Sequence, residues 1–344
     1  MKTYNLKDKN HFNLFGSRVL NEEGYNRLSE EDRKFVKSFN PSVTILATNS
    51  AGINARFITD SKKISIKVEL NDFSNMSHMS ALGQAGLDLY VYDETLKEFV
   101  FFGATVYDSK LKVYEYEFGE FKDNKKRKFI LNLPLYMGAN DIELLFEEKA
   151  LVEPDNYNNE EKIIIYGTSI TQGGCVSRPG MLHTNIISRW MDTEILNYGF
   201  SGSAFLEKEM AEIIAKMENP DLFIIDAQAN AGIDDRMKNN LEEFINTYRK
   251  FHPNVPIIVA TRIRFAVDLY NEEKIKMREF YDKWIEKTVN RYRKTDKNIY
   301  LLKGENVFDK YFTEMTVDGI HPNDLGSMKI AEYYFEFFKN ILNK

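Results

Sequence analysis

A single cysteine, Cys175, stands among 344 residues, so no disulfide can form within the chain. No apolar run approaches the length needed to span a bilayer, and the opening Met1-Lys-Thr-Tyr-Asn-Leu-Lys-Asp8 lacks the apolar core of a signal peptide. A cytoplasmic protein with no membrane partner is the expectation. Lysine and arginine nowhere concentrate with interleaved aromatics, and the formal charge of -6 disfavours polyanionic ligands, which argues against a nucleic-acid partner. The densest cationic stretch, Lys122 to Lys128, reads as the solvated cap of a hairpin between two strands. Histidine is sparse as well. His11, His78, His183 and His252 show no ligand spacing, so neither a metal nor any other cofactor is expected.

Aromatic residues, in contrast, are plentiful, with 25 Phe and 19 Tyr. That supply and the chain length suit two domains, each with its own core, and argue against disorder. Residues 1–155 read as β structure. Lys63 to Leu70 alternates without a break, placing Ile64, Ile66, Val68 and Leu70 on one face. Ile53, Ala55, Phe57 and Thr59 repeat the pattern one strand earlier, and further runs fall at 87–92, 98–102, 112–118, 129–133 and 142–146. Strands so spaced, with no helix between them, imply a β-sandwich of jelly-roll type. Ser29 to Lys37 is the exception, since a cap residue and an acidic first turn predict one short helix. Leu151 to Glu160 carries the turn formers of a linker.

Residues 156–344 change to alternating strands and helices. Helices are predicted near 181–192, 206–217, 233–251, 271–294 and 325–342, between compact apolar strands at 195–198, 222–225, 256–260 and 299–302. This order predicts an α/β/α domain of three layers around a parallel sheet, in the flavodoxin-like manner, with functional loops at the carboxyl ends of the strands.

The first of those strands is the most informative. Ile163, Ile164 and Ile165 form a β-branched run that leads into Gly167-Thr-Ser-Ile-Thr-Gln-Gly-Gly174, a turn able to expose Ser169 and aim backbone N–H groups at one point. Ser169 reads as a nucleophile or, alternatively, as a capping residue of a glycine-rich loop. Gly202, in Asn197 to Ser203, can bring a further N–H to the same point, or be a turn glycine. Asn230 can donate a side-chain amide there, or form an Asx turn or helix cap. In Val317-Asp-Gly-Ile-His-Pro-Asn323, Asp318 and His321 are near enough for the carboxylate to hold one ring nitrogen while the other faces a serine. A surface acid and a capping histidine are the alternative. Arg178 can touch substrate or form a structural salt bridge, and Cys175 reads as a small packing residue. His78 reads as a structural imidazole at the domain junction.

Together these motifs resemble the SGNH hydrolases, also called the GDSL esterase family, in its two-domain bacterial form with an N-terminal β-sandwich. Four motifs match in the family's order, and Ser50-Ala-Gly52, Arg56-Phe57 and Gly86-Leu-Asp-Leu-Tyr-Val91 are similar to its sandwich domain. Two positions depart from the pattern: Thr168 stands where the family has Asp, and Ala229-Asn-Ala231 replaces Gly-x-Asn-Asp. The resemblance implies that Ser169 is the nucleophile, His321 the base, Asp318 its orienting partner, and that Ser169, Gly202 and Asn230 supply the oxyanion donors. It further implies a serine esterase acting on small O-acyl esters, first of all O-acetyl groups on a sugar or oligosaccharide. A general short-chain esterase or thioesterase, and an inactive carbohydrate-binding protein, are the alternatives. The sandwich is left three roles: shaping the active-site mouth, holding glycan, or building a homo-oligomer.

Overall fold

The computed structural model describes residues 1–20 and 24–342. Among them, ten strands come before residue 155: β1 (Lys2–Asn5), β2 (Asn13–Phe15), β3 (Asn54–Thr59), β4 (Lys63–Leu70), β5 (Asp88–Asp93), β6 (Glu98–Ala104), β7 (Val113–Glu120), β8 (Arg127–Asn132), β9 (Ala139–Phe146) and β10 (Val152–Pro154). They build two antiparallel sheets, one in the order β1-β9-β4-β7, the other in the order β10-β3-β8-β5-β6 with β2 also on β3. The predicted alternation of β4 holds: Ile64, Ile66, Val68 and Leu70 are all buried, and they face Ala55 and Phe57 of β3 and Phe129 and Leu131 of β8 in one core. This is the packing of a sandwich, each strand giving every second side chain to the space between sheets.

Two sequence expectations change here. Lys122 to Lys128 does not cap a hairpin, because β7 and β8 lie in different sheets; the segment crosses between them, with Arg127 stacked on Phe121 and paired with Asp123. The predicted linker also contains β10, whose pairing with β3 is supported by Thr59 Oγ1 donating to Leu151 O at 2.6 Å and by the ion pair of Arg56 and Asp155 at 3.1 Å. Short paired segments of this kind have no alternation long enough to read.

The predicted helix at 29–37 is present as α1 (Glu30–Val36), with Ser29 accepting from Asp32 N, and it is followed by α2 (Pro41–Leu46). Both precede most of the sandwich in the chain, yet Val36, Val43 and Ala47 pack into the core of the C-terminal half. A short helix α3 (Ala81–Ala85) completes the N-terminal half.

Among the described residues, the C-terminal half contains five parallel strands, β11 (Lys162–Gly167), β12 (Glu194–Gly199), β13 (Leu222–Asp226), β14 (Ile257–Ala260) and β15 (Ile299–Leu302), in the order β12-β11-β13-β14-β15. Between and after them run α4 (Ser169–Gln172), α5 (His183–Met191), α6 (Lys208–Ile214), α7 (Gln228–Ala231), α8 (Arg236–Phe251), α9 (Glu272–Tyr292) and α10 (Asp324–Leu342). Side chains alternate across the sheet: Ile164 and Tyr166 enter the core on one face, Ile163 and Ile165 the core on the other. Strand order reverses at β11, so a crevice opens beyond its carboxyl end, between β12 and β13. No helix among the described residues is long and apolar enough to cross a membrane.

Arg27 joins the two halves. Fully buried and just ahead of α1, it donates to the carbonyls of Leu46 and Asn49 on its own side and of Asn197 and Gly199 across the junction, over the face of Phe200. Loss of water around the guanidinium lowers its pKa to about 9, still charged at neutral pH. Arg27→Met keeps the stem but leaves four carbonyls without this donor. It should lower unfolding stability by at least about 3 kcal/mol in urea titration; an unchanged midpoint would refute the assignment.

Candidate active site

The loops beyond the sheet's carboxyl ends bring the predicted residues together. β11 delivers Ser169 as the first residue of α4, and Gly167 allows the turn, since a Cβ there would lie 2.1 Å from Thr171 Oγ1. Thr168, which replaces the family's Asp, serves as the cap: its Oγ1 accepts from Ile170 N at 3.4 Å, a task either side chain performs. Gly173, at φ +107°, ends the helix after a single turn. Ser169 is only 9% exposed, so its hydroxyl reaches the surface through the crevice alone.

From the other end of the chain comes the turn before α10. Gly319 at φ +88° folds Asp318 back under His321, and Asp318 Oδ1 accepts from the N–H groups of Ile320 and His321 at 3.0 and 2.8 Å. Asp318 Oδ2 lies 2.7 Å from His321 Nδ1, and His321 Nε2 lies 2.8 Å from Ser169 Oγ. Partial burial works against the Asp318 carboxylate, but the hydrogen bonds from His321 and Ile320 outweigh it and hold its pKa below the ordinary carboxylate value. A permanent anion next to Nδ1 keeps the proton there and leaves the Nε2 lone pair toward the serine. Such a chain can move a proton from hydroxyl to imidazole.

Gly202 and Asn230 line the same cavity as Ser169 and His321, which measures about 480 Å³. Gly202 sits at φ +65° in open space, so its backbone rather than crowding calls for glycine. Asn230 Oδ1 accepts from Ala204 N at 3.2 Å, which turns the Nδ2 end of the amide away as the free donor. The rest of the wall is mainly apolar, with Ile170, Ala229, Ile233, Phe265, Val267 and Ile320, and it also carries Arg262, Lys274 and Arg278. Arg178 is not among the lining residues. Its guanidinium bonds Asp88 at 2.8 Å and Tyr90 at 2.6 Å and covers Phe101, fastening β5 to the loop after α4.

Several contributors give no signal in the sequence. Gln172 accepts from Ser201 N at 2.9 Å and donates to Asn49 and Leu135, so one side chain ties the Gly202 loop to the sandwich side. Tyr136 donates to the carbonyl of Ser169 at 3.2 Å. Asn197 donates to Thr171 O at 2.6 Å and accepts from Gly199 N at 2.8 Å, bracing both loops. His78 is exposed, with its ring centre 5.9 Å from that of His321. Only convergence in space marks such residues; Asn197, at the head of the Gly202 motif, is the one that family resemblance could flag. Cys175 is buried beside Asp318, and both effects push its thiol up to about 12, far from a reactive thiolate.

A parallel sheet with a hydrogen-bonded Ser–His–Asp chain at its strand-order reversal is an arrangement of the α/β hydrolase class. Similarity to known proteins names the family. Residues 160–339 match the model of the GDSL-like lipase/acylhydrolase family, and residues 2–152 match that of the N-terminus of SGNH-hydrolase-type esterases, so the chain belongs to the GDSL/SGNH family of esterases. A protein from Bacteroides ovatus ATCC 8483 described as a GDSL-like lipase is 28% identical, with 99% of this chain and 98% of that one covered at a TM-score of 0.91. A salicylyl-acyltransferase from a tetracycline biosynthetic pathway shares the fold at 19% identity, 97% and 95% coverage and a TM-score of 0.78. A family two carbohydrate esterase from Clostridium thermocellum, solved with cellohexaose, shares it at 12% identity, 85% and 93% coverage and a TM-score of 0.60. None of the curated proteins matches the chain significantly.

Beneath the site, at the end of β13, Asp226 accepts from the Tyr334 hydroxyl at 2.9 Å, and loss of water raises its pKa from 3.8 to about 6. Because the folded value lies above the unfolded one, the fold favours the protonated acid, and stability falls as pH rises from about 4 through about 6. Asp226→Asn should remove that decline in a series of thermal melts across this range. A variant with the wild-type pH profile would show that Asp226 is not its source.

Proposed function

We propose that the protein is a serine esterase that hydrolyses O-acyl esters through Ser169, His321 and Asp318. The observation that carries this reading is the continuous hydrogen-bonded chain from Ser169 Oγ to His321 Nε2 and from Nδ1 to Asp318 Oδ2, at 2.8 and 2.7 Å. In the proposed reaction, His321 takes the hydroxyl proton as Ser169 attacks the ester carbonyl. The oxyanion of the tetrahedral intermediate accepts from the N–H groups of Ser169 and Gly202 and the amide of Asn230. His321 then protonates the leaving alcohol, and water repeats the steps to release the acid. Asp318 keeps the imidazole in the required tautomer and stabilises its charged form.

For the alcohol, an oligosaccharide is the preferred reading. It is supported by the shared sandwich-plus-hydrolase fold of a carbohydrate esterase solved with cellohexaose. A second reading, a general short-chain esterase, is favoured by one feature: a cavity of about 480 Å³ with a mainly apolar wall has room for more than an acetyl group. Acetate release from acetylated xylo-oligosaccharides, set against turnover of p-nitrophenyl acetate, butyrate and hexanoate, separates the two. Preference for the acetylated sugar supports the first, and kcat/KM rising with acyl length supports the second.

Two substitutions test the chemistry. Ser169→Ala should abolish turnover and adduct formation with a fluorophosphonate while leaving the thermal transition in place; unchanged hydrolysis would sink the reading. Asn230→Ala should lower kcat by about 100-fold or more, the usual cost of one oxyanion donor, with little change in KM.

A further inference from the structure

Four side chains with metal-binding atoms meet beside the proposed base. One ligand atom from each of His78, Cys175, Asp318 and His321 lies within 4.8 Å of the others. They come from three stretches far apart in the chain: His78 from the loop after β4, Cys175 from the turn after α4, and the other two from the turn before α10. The thiol is held there by an uncommon backbone, since Cys175 is a non-glycine residue at φ +72°, and its Sγ reaches the His78 carbonyl at 3.5 Å. His78 makes no side-chain hydrogen bond among the described residues, and it is exposed, so an ion has both a free ligand and a way in.

We propose that His78, Cys175, Asp318 and His321 form a binding site for a zinc-like divalent ion, and that occupation of this site switches the enzyme off. The inhibitory half rests on the function proposed above; the binding half does not.

The donor set selects the ion. One thiolate, two imidazoles and one carboxylate suit a borderline-soft cation in tetrahedral coordination, whereas calcium and magnesium require oxygen ligands. With zinc bonded at about 2.0 Å to nitrogen or oxygen and about 2.3 Å to sulfur, tetrahedral ligand atoms stand roughly 3.5 Å apart. The cluster therefore needs to contract by about 1 Å, within reach of side-chain rotation. Binding sends the thiol proton to solvent, and the ion takes its place on sulfur.

Inhibition follows whichever nitrogen of His321 is used. An ion on Nε2 takes the lone pair that faces Ser169. An ion on Nδ1 replaces the bond to Asp318 and leaves the ring proton on Nε2, so the ring can no longer accept the serine proton. Asp318, drawn to the ion, ceases to orient the imidazole in either case.

The test uses the full reduced chain after EDTA treatment. Cobalt(II) is titrated into the wild type and Ser169→Ala and followed by the near-ultraviolet thiolate-to-cobalt charge-transfer band; zinc is titrated against p-nitrophenyl acetate hydrolysis. One equivalent of cobalt should give the band in both proteins and none in Cys175→Ser. Zinc should lower wild-type turnover by at least about tenfold, reversibly with EDTA. His78→Ala and Cys175→Ser should keep their zinc-free turnover but need on the order of tenfold more zinc for half inhibition, the scale on which losses around a metal site are felt. A missing band in active enzyme, or equal zinc sensitivity in all three proteins, overturns the site. A band in a protein that hydrolyses no ester overturns the esterase reading and leaves the metal site supported.

Discussion

The position of β11 in the sheet is the constraint on which the rest depends. A parallel strand flanked on one side by β12 and on the other by β13 sends its two neighbouring connections to opposite faces, and the space left beyond its end cannot be closed by either. Ser169 is placed at that gap by the strand itself. The loops carrying Gly202 and Asn230 follow the two flanking strands, so they reach the same gap from either side. Asp318 and His321, 149 and 152 residues further along, come back to it because α10 packs on α5 beside β11.

The N-terminal half is a structural part of this arrangement. Arg27 grips the carbonyls at the end of β12, Gln172 links the Gly202 loop to Asn49 and Leu135, and Tyr136 bonds the Ser169 carbonyl. The bonds of Arg27 and Tyr136 cross the junction to backbone at the end of β12 and at Ser169, and Gln172, which holds the Ser201 N–H, crosses it to Asn49 and Leu135. With α1 and α2 also packed in the C-terminal core, the sandwich holds the site's loops in place as well as standing next to them. Its loop with His78 and the turn with Cys175 crowd the outer side of His321, while the apolar cavity lies on the Asn230 side. The proposed base therefore has two different neighbourhoods, one suited to substrate and one to an ion.

Long, strongly periodic segments are legible in the order of residues alone. β4 runs over the predicted residues, α9 and α10 lie within two residues of their predicted ends, and the five strands of the parallel sheet are where apolar runs put them. The short elements β2, β10, α2 and α7 are not, because a single helical turn or a three-residue bridge without a compact apolar run has no period to detect and exists through its partners. The crossing at Lys122 to Lys128 is misleading for a related reason: a polar turn looks the same whether it joins paired strands or passes from one sheet to the other.

What the sequence by itself determined is the set of chemical parts and their order: a serine after a buried strand, Gly202 and Asn230 on the loops after two further strands, and an Asp–Gly–Ile–His turn before the last helix. Residue type and local spacing carry that information, because turn geometry and strand burial are local demands. Only the tertiary structure decided that these parts meet, that Arg178 turns to Asp88 and Tyr90 rather than to the cavity, and that His78 and Cys175 stand beside His321. Those outcomes depend on the register of a sheet and the docking of two halves, and such long-range packing leaves no periodic trace along the chain.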